Sequence, residues 1–271
     1  MKKRLLTFMM VFVMMAALVA CGKSEKGGED TSLSYIKEKG TFVLGLDDSF
    51  PPMGFRDDNN EIVGFDIDLA KAVCKKLGVT LVTQPIDWNA KEQELATKNI
   101  DCIWNGFSIT DERKEQLAMT DAYLTNTIAV VVNDGSDIAS LSDLSGKRAA
   151  LQSGSAAEEA LNAEEEKNLK DSLAEVNQFK DYITALMDLE SGNSDAVLMD
   201  SVVAKYMINE NGKKFVILDE YLTADEYGIG FRKGDDALRD EVWNALVELK
   251  ADGTVAEIAD KWFGEDITLI P

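Results

Sequence analysis

Short apolar runs alternate with amphipathic stretches along most of this chain. Residues 42–44 (Phe-Val-Leu) predict a strand that enters an acidic, proline-containing loop, residues 47–55. Ile67, Ala70, Val73, Cys74 and Leu77 recur at helical spacing, with Asp66 placed as the cap and Gly78 as the stop. Residues 80–83 predict a strand, and Asn89 with Glu92 reads as the cap of a helix running through Ala96. The apolar run 100–104 predicts a buried strand that breaks at Gly106, followed by a polar helix from Asp111 and an apolar strand over 128–132. A second series follows: strand 147–152, helix from Ser155, strand 175–179, helix 182–189, strands 196–199 and 215–218. The pattern closes with strand 227–231 and helices over 237–249 and 254–263. Alternation of this kind argues an α/β architecture.

Composition narrows the function more than the fold. The 271 residues carry a formal net charge of −21, and losing Lys2, Lys3 and Arg4 with a cleaved leader would take it to −24. Such a chain repels nucleic acid and anionic lipid surfaces, so a nucleic-acid partner is excluded. The chain has no histidine, which removes the commonest general base and transition-metal ligand. No metal site, cofactor or catalytic group emerges, although a carboxylate-based enzyme stays open. Cys74 shares a helix face with Val73 and Leu77, and Cys102 alternates with Ile100 and Trp104, so both read first as small free core hydrophobes, with a disulfide left open by their spacing.

The N-terminus addresses the chain. A basic start at Lys2, Lys3 and Arg4 precedes an apolar stretch over 5–20 interrupted only by Thr7. It is too short for a comfortable span and is followed by polar residues, so residues 1–20 read as a secretory signal. Leu18-Val-Ala-Cys21 resembles the lipobox of bacterial lipoproteins, which implies cleavage before Cys21 and lipidation of its thiol; the alternative is a plain signal peptide with an incidental cysteine. Residues 21–35 then read as a polar tether.

One segment concentrates candidate chemistry. After the 100–104 strand come Gly106, Ser108, Thr110 and Arg113 within a few residues. Glycine lets a backbone approach a ligand, hydroxyls offer neutral donors, and arginine grips a planar anion with two prongs. The cluster suits a carboxylate. Read plainly, it is also a loop capped by Thr110 with Arg113 on a helix surface.

Several motifs in order then carry a resemblance. Gly64-Phe-Asp-Ile-Asp-Leu-Ala-Lys71, Asn105-Gly-Phe-Ser-Ile-Thr-Asp-Glu-Arg113, Ala118-Met-Thr-Asp-Ala-Tyr123, Leu249-Lys-Ala-Asp-Gly-Thr254 and Lys261-Trp-Phe-Gly264 together resemble the polar amino-acid-binding proteins of ABC importers. That solute-binding family includes glutamine, histidine and lysine/arginine/ornithine binders. The resemblance implies a two-lobed periplasmic-binding-protein (Venus-flytrap) fold of type II with two hinge strands. It places lobe 1 at 36–124 plus 226–271 and lobe 2 at 125–225.

The same resemblance implies residue roles. Arg113 takes the ligand α-carboxylate, with Ser108 and the Gly106 backbone beside it. Asp200 takes the α-ammonium, and Gly154 and Ser155 offer backbone N–H groups at a helix start. Phe50 and Trp88 flank the ligand side chain; the plain readings are core packing for both and a helix cap for Asp200. Asn105 adds an amide where many relatives are small. Asp47, Asp48, Gln152, Met199 and Thr223 lie near enough to touch a side chain, and no spare lysine or arginine is evident there. The expected ligand is a free L-amino acid, neutral polar and glutamine-like first, cationic second. The expected partners are an ABC permease and ATPase, and the membrane through Cys21. The expected state is a monomer on the outer face of the bacterial cytoplasmic membrane, not an enzyme. Two readings stay beside it: a sensor lipoprotein, and an enzyme resembling the cyclohexadienyl dehydratases.

Overall fold

In the computed structural model, residues 30–209 and 212–271 are described, and Thr31–Pro271 forms one compact unit. The expected signal segment and Cys21 lie outside the described residues. Among the described residues no helix is long and apolar enough to cross a membrane.

The chain begins with α1 (Ser32–Lys39), β1 (Thr41–Leu46), the short strands β2 (Ser49–Phe50), β3 (Gly54–Arg56) and β4 (Ile62–Val63), then α2 (Phe65–Leu77) and β5 (Thr80–Pro85). A single 3-10 turn at Trp88–Ala90 leads into α3 (Lys91–Ala96), β6 (Cys102–Ser108), α4 (Asp111–Gln116), β7 (Leu117–Met119) and β8 (Leu124–Asn133). The second series is β9 (Arg148–Gln152), α5 (Ala156–Asn162), α6 (Lys167–Ser172), β10 (Glu175–Phe179), α7 (Tyr182–Glu190), β11 (Ala196–Asp200) and α8 (Ser201–Asn209). The long strand β12 (Phe215–Arg232) returns the chain to α9 (Asp236–Ala251) and α10 (Thr254–Phe263).

Two parallel groups share one nine-stranded sheet in the order β10-β9-β11-β8-β12-β6-β1-β5, with β7 also on β12. β1 pairs in parallel with β5 and β6, and β9 does so with β10 and β11. Between these groups, β8 and β12 run antiparallel, from Phe215 opposite Asn133 to Tyr227 opposite Leu124. β12 continues onto β6 and β7, while β8 turns its other edge to β11. The two strands expected over 215–218 and 227–231 are therefore one strand, with register shifts where the pairing is irregular.

Other local expectations change for identifiable reasons. Residues 32–35 were expected in the tether but open α1, because Ile36 is fully buried and the Ser32 hydroxyl accepts from the Leu238 backbone N–H at 3.1 Å. Asp66 does not cap its helix. It lies inside α2, fully buried, and accepts from the Gly106 N–H (2.7 Å) and the Tyr123 hydroxyl (2.9 Å). The cap before α3 is Asp87, which accepts from Asn89 N–H. β6 does not break at Gly106 but runs to Ser108, with Gly106 at φ +55°; a Cβ there would lie 2.7 Å from Phe50 Cε1. Cys74 and Cys102 are free and buried.

The start of α2 holds the acidic loop in place. Phe65 N–H donates to Pro52 O (2.8 Å) and Asp66 N–H to Met53 O (3.0 Å). Gly64 sits at φ +146°, and a Cβ on it would fall 2.2 Å from Met53 O, a backbone atom that cannot swing away. We expect Gly64→Ala to destabilise the protein by about 2–4 kcal/mol, because strain and a backbone clash coincide. Chemical denaturation measures this, and a change below about 0.5 kcal/mol would refute the constraint.

Candidate functional site

β6, β8, β11 and β12 meet at the junction of the two sheet groups, and each delivers a polar side chain there. Ser108 ends β6, Asn126 and Asp225 face each other on β8 and β12, and Asp200 ends β11. Asn126 Nδ2 donates to Asp200 Oδ1 (2.7 Å) and to Asp225 Oδ2 (2.8 Å). The Ser108 hydroxyl donates to Asp225 Oδ2 (2.8 Å) and the Tyr227 hydroxyl to Asp200 Oδ1 (2.6 Å). Burial, followed by the neighbouring Asp225 charge, pushes the Asp200 carboxyl up to about 7. Burial also raises Asp225, against the hydrogen bonds from Asn126 and Ser108.

Arg113 is 4 % exposed despite lying on a six-residue polar helix. Thr110 starts that helix by accepting from Arg113 N–H (3.2 Å), which turns the side chain inward. Its guanidinium carbon lies 4.4 Å from the Phe107 ring centre, Nη1 donates to Ser108 O (2.9 Å) and Nη2 to Glu159 Oε1 (2.5 Å). Nε is buried without a partner. The plain reading of Arg113 as a surface residue is thus excluded. Glu159, from α5, faces it from the other sheet group.

A second set of bonds joins the groups further out. Gln152 Nε2 donates to Asp47 Oδ2 (2.7 Å) and to Lys180 O (3.0 Å), while Asp47 Oδ1 accepts from Ser49 N–H (2.9 Å). Burial is the main cause that raises the Asp47 carboxyl to about 6, against the Gln152 and Ser49 bonds, with Asp181 and Asp48 adding to it. Asn105 is fully buried; its Oδ1 accepts from Asp47 N–H (3.0 Å), so it braces that loop. Phe50 packs on Tyr182 with ring centres 5.9 Å apart, and Trp88 meets Phe107 edge-on at 5.9 Å. Gly154 and Ser155 begin α5, but the Gly154 N–H is taken by Glu158 Oε2 (2.7 Å) and the Ser155 hydroxyl by Glu158 N–H (3.2 Å). Their expected N–H offering is thus partly engaged by the helix's own cap.

Five residues here were not singled out from the sequence: Lys91, Asn126, Glu159, Tyr182 and Asp225. Lys91 bears most on the ligand end, where no spare lysine or arginine was evident from the sequence. It is 3 % exposed, and its Nζ donates to Gly154 O (2.9 Å) across the junction, pairs with Glu92 at 3.1 Å and lies 5.4 Å from the Trp88 ring centre. Burial, then the Arg113 charge, lowers its affinity for its proton. The available signal was its spacing from Trp88 and Leu95, which puts it on the inward face of α3. Met199 is buried in β11, whereas Asp48 pairs with Arg56 at 2.5 Å and Thr223 is exposed.

The arrangement can hold charges of both signs: a buried guanidinium on one side, two carboxylates on the other, and a third carboxylate at the far end. Among the described residues no group of three or more His, Cys, Asp or Glu side chains could hold a metal ion. The buried acids set a pH dependence. Asp47, at about 6, and Asp66 and Asp200, at about 7, keep protons in the folded chain that the unfolded chain has lost. More protons bound in the folded state means stability falls as pH rises from about 4 to 7. Carboxylates held low, such as Asp195 beside Arg148, act below that window. Without added ligand, the melting temperature should be about 5–10 °C lower at pH 7.5 than at pH 5. Asp66→Asn should shrink that drop, and a flat or rising profile by calorimetry would contradict the assignment.

Residues 42–265 match the family model for bacterial extracellular solute-binding proteins, family 3. An L-cystine-binding protein of Escherichia coli K12 is 31 % identical over 258 residues, covering 94 % of this chain and 95 % of its own length. An arginine-binding extracellular protein of Bacillus subtilis is 32 % identical over 250 residues, covering 91 % and 92 %. The crystal structure of an ABC uptake transporter substrate-binding protein from Streptococcus pneumoniae with bound histidine superposes with a TM-score of 0.85 at 37 % identity, covering 89 % of this chain and 99 % of that one. The fold is the two-lobed type of these amino-acid-binding proteins, and this chain belongs to the bacterial extracellular solute-binding proteins, family 3.

Proposed function

We propose that this chain captures a polar L-amino acid between lobes formed by residues 36–124 with 226–271 and by residues 125–225, and delivers it to an ABC permease and ATPase. The observation that carries the reading is Arg113: buried, fixed by Ser108 O and the Phe107 ring, and with Nε lacking a partner. A ligand carboxylate completes that fork, and a ligand ammonium answers Asp200 on the opposite lobe. Each charge alone would leave a buried partner unmatched.

The ligand side chain would extend between Phe50 and Trp88 towards Asp47 and Gln152. Asp47 titrates at about 6, so near neutral pH it can serve an amide or a cation. The glutamine-like ligand expected first and the cationic one expected second both fit this end. The relatives that bind cystine, arginine and histidine support a polar or charged ligand rather than an apolar one. The role is capture without turnover.

A thermal-shift scan of residues 25–271 against the twenty amino acids, ornithine, citrulline and cystine tests the reading. At about 100 times the dissociation constant a ligand stabilises by about 2.7 kcal/mol, a rise of about 5–10 °C for this size. Arg113→Ala should melt as a folded protein yet show no rise. A normal rise in that variant, or chemical conversion of the ligand recovered afterwards, would overturn the reading.

The same proposal places the chain on the outer face of the bacterial cytoplasmic membrane, held by lipid on Cys21. Expressed in a Gram-positive host, the full chain should fractionate with membranes and Cys21→Ser should appear in the medium. A variant still retained on membranes would argue against the lipid anchor.

A further inference from the structure

The amino-acid-binding reading gives Asp200 a role and leaves Asp225 without one. Asp225 lies on β12 directly opposite Asn126 of β8. The single nitrogen Asn126 Nδ2 ties Asp225 to Asp200, at 2.8 and 2.7 Å. Both amide hydrogens are thereby used. The other donors on the pair, the hydroxyls of Ser108 and Tyr227, are neutral. Arg113 acts on both carboxylates through space, but its hydrogen bonds go to Ser108 O and Glu159. A buried carboxylate and a partly buried one therefore have hydrogen bonds but no bonded cation.

Two further polar atoms mark the same place. The Tyr182 hydroxyl, on a fully buried side chain, lies close to Asp200 and Ser155 without a well-formed hydrogen bond to either. Arg113 Nε, on a side chain almost as buried, makes none either. An ammonium has three donors, more than a single carboxylate oxygen can use, and a pair of acids joined by one amide matches it.

We propose that Asp225 is a second carboxylate for the ligand ammonium, and that capture exchanges a proton shared by the Asp200–Asp225 pair for that ammonium. The exchange balances. The O–H bond of one carboxyl breaks, its proton passes to solvent, and ammonium N–H groups occupy the oxygen it leaves. The acid pair carries a single net negative charge both with its proton and with the ammonium in its place, and the ligand carboxylate adds its own negative charge beside Arg113. The charged and titratable groups facing the pair are Arg113 from α4, Tyr182 from α7 and Tyr227 from β12. Glu159 of α5 faces Arg113, and Lys91 of α3 lies near both. The two tyrosines stay neutral, since burial holds their hydroxyls well above the usual range. Like charges in a buried pair cannot both ionise without a counter-charge, which is what holds the shared proton in place.

Asp225 is the last residue of lobe 2, where β12 passes on to lobe 1, so the ammonium would bond to the crossing strand as well as to Asp200 at the end of β11. The inference rests on the amino-acid-binding reading, and its test separates the two. Titration calorimetry of residues 25–271 with L-glutamine and with L-arginine, in phosphate and in imidazole buffers, counts protons released on binding. We expect about one proton per ligand at pH 6 and close to none at pH 8.5, with affinity weakening by up to about tenfold per pH unit on the acid side. Asp225→Asn should cut the release to less than about half, while Asp47→Asn should leave most of it.

Binding with no buffer dependence at pH 6 overturns the exchange and leaves the amino-acid reading intact. Release that survives in Asp225→Asn and vanishes in Asp47→Asn also overturns it. Absence of binding by every amino acid overturns both. Should Asp225→Asn fail to fold, carbon-13 NMR of the wild-type Asp200 and Asp225 carboxyls decides. One of them should ionise on adding L-glutamine at pH 6, and a pair already fully ionised without ligand overturns the proposal.

Discussion

The antiparallel ladder between β8 and β12 is the constraint on which the site depends. Its register sets Asn126 opposite Asp225 and Leu124 opposite Tyr227. A slip of one residue would turn every side chain on one strand to the other face, separating Asn126 from both acids at once. The same two strands fuse the parallel groups β5-β1-β6 and β10-β9-β11 into one sheet. Three antiparallel steps separate β6 from β11, so the two groups run in opposite directions, and Ser108 and Asp200 reach the junction as the last residues of those strands. This is where ligands settle in open α/β sheets.

Charge burial is the second constraint, and magnitudes decide how it is met. Moving an ion out of water costs several kcal/mol even after relaxation, whereas a hydrogen bond to a charged group returns about 1.5–3 kcal/mol. Asp66, Asp47 and Asp200 each have two or more donors, yet burial still wins and all three are raised. Asp66 accepts its donors from the backbone of Gly106 and from Tyr123, so it belongs to the scaffold that holds β6 against α2. Asp47 accepts from Ser49 beside it and from Gln152 of β9, and Asp200 from Asn126 of β8 and Tyr227 of β12; their raised pKa values mark positions where an added cation would be welcome.

Much of this was legible in the sequence, for reasons that differ by residue. Apolar periodicity located α2, α9 and α10 because their inward faces are regular, and β10 because it is bounded by polar turns. Ser108 and Arg113 were reached through the motif over 105–113, and Asp200 through its place at the end of the apolar strand 196–199. Asp225 stayed hidden because β12 alternates poorly: residues 219–221 and 223–224 are exposed, so the strand reads as two with a loop between. Lys91 stayed hidden because α3 is polar overall (Lys-Glu-Gln-Glu-Leu-Ala), and its burial depends on Trp88 and on Gly154 from the other lobe. Asp66 was misplaced by one turn of logic. An acid near a helix start is usually a cap, but Gly64 occupies the cap position and leaves Asp66 facing inward.

Direct bonds between the lobes bear on how ligand and closure are linked. Gln152 to Asp47, Lys91 to Gly154 O and Arg113 to Glu159 all join one sheet group and its helices to the other. A ligand favours a joined arrangement only through contacts stronger there than in a separated one. Arg113 has one face directed to Ser108 O and another to Glu159, so a ligand carboxylate that takes Nε comes beside the Glu159 carboxylate. Lys91 lies close enough to feel both Arg113 and Glu159, and two cations against two carboxylates leave that corner balanced. On the reading proposed above, Asp200 and Asp225 outnumber the single positive charge of a ligand ammonium, and a proton held by the pair makes up the difference when the ligand is away. On that reading closure strength is divided between fixed bonds across the junction and bonds that exist only with ligand, and the pair formed by Asp200 of β11 and Asp225 of β12 is where the two are coupled.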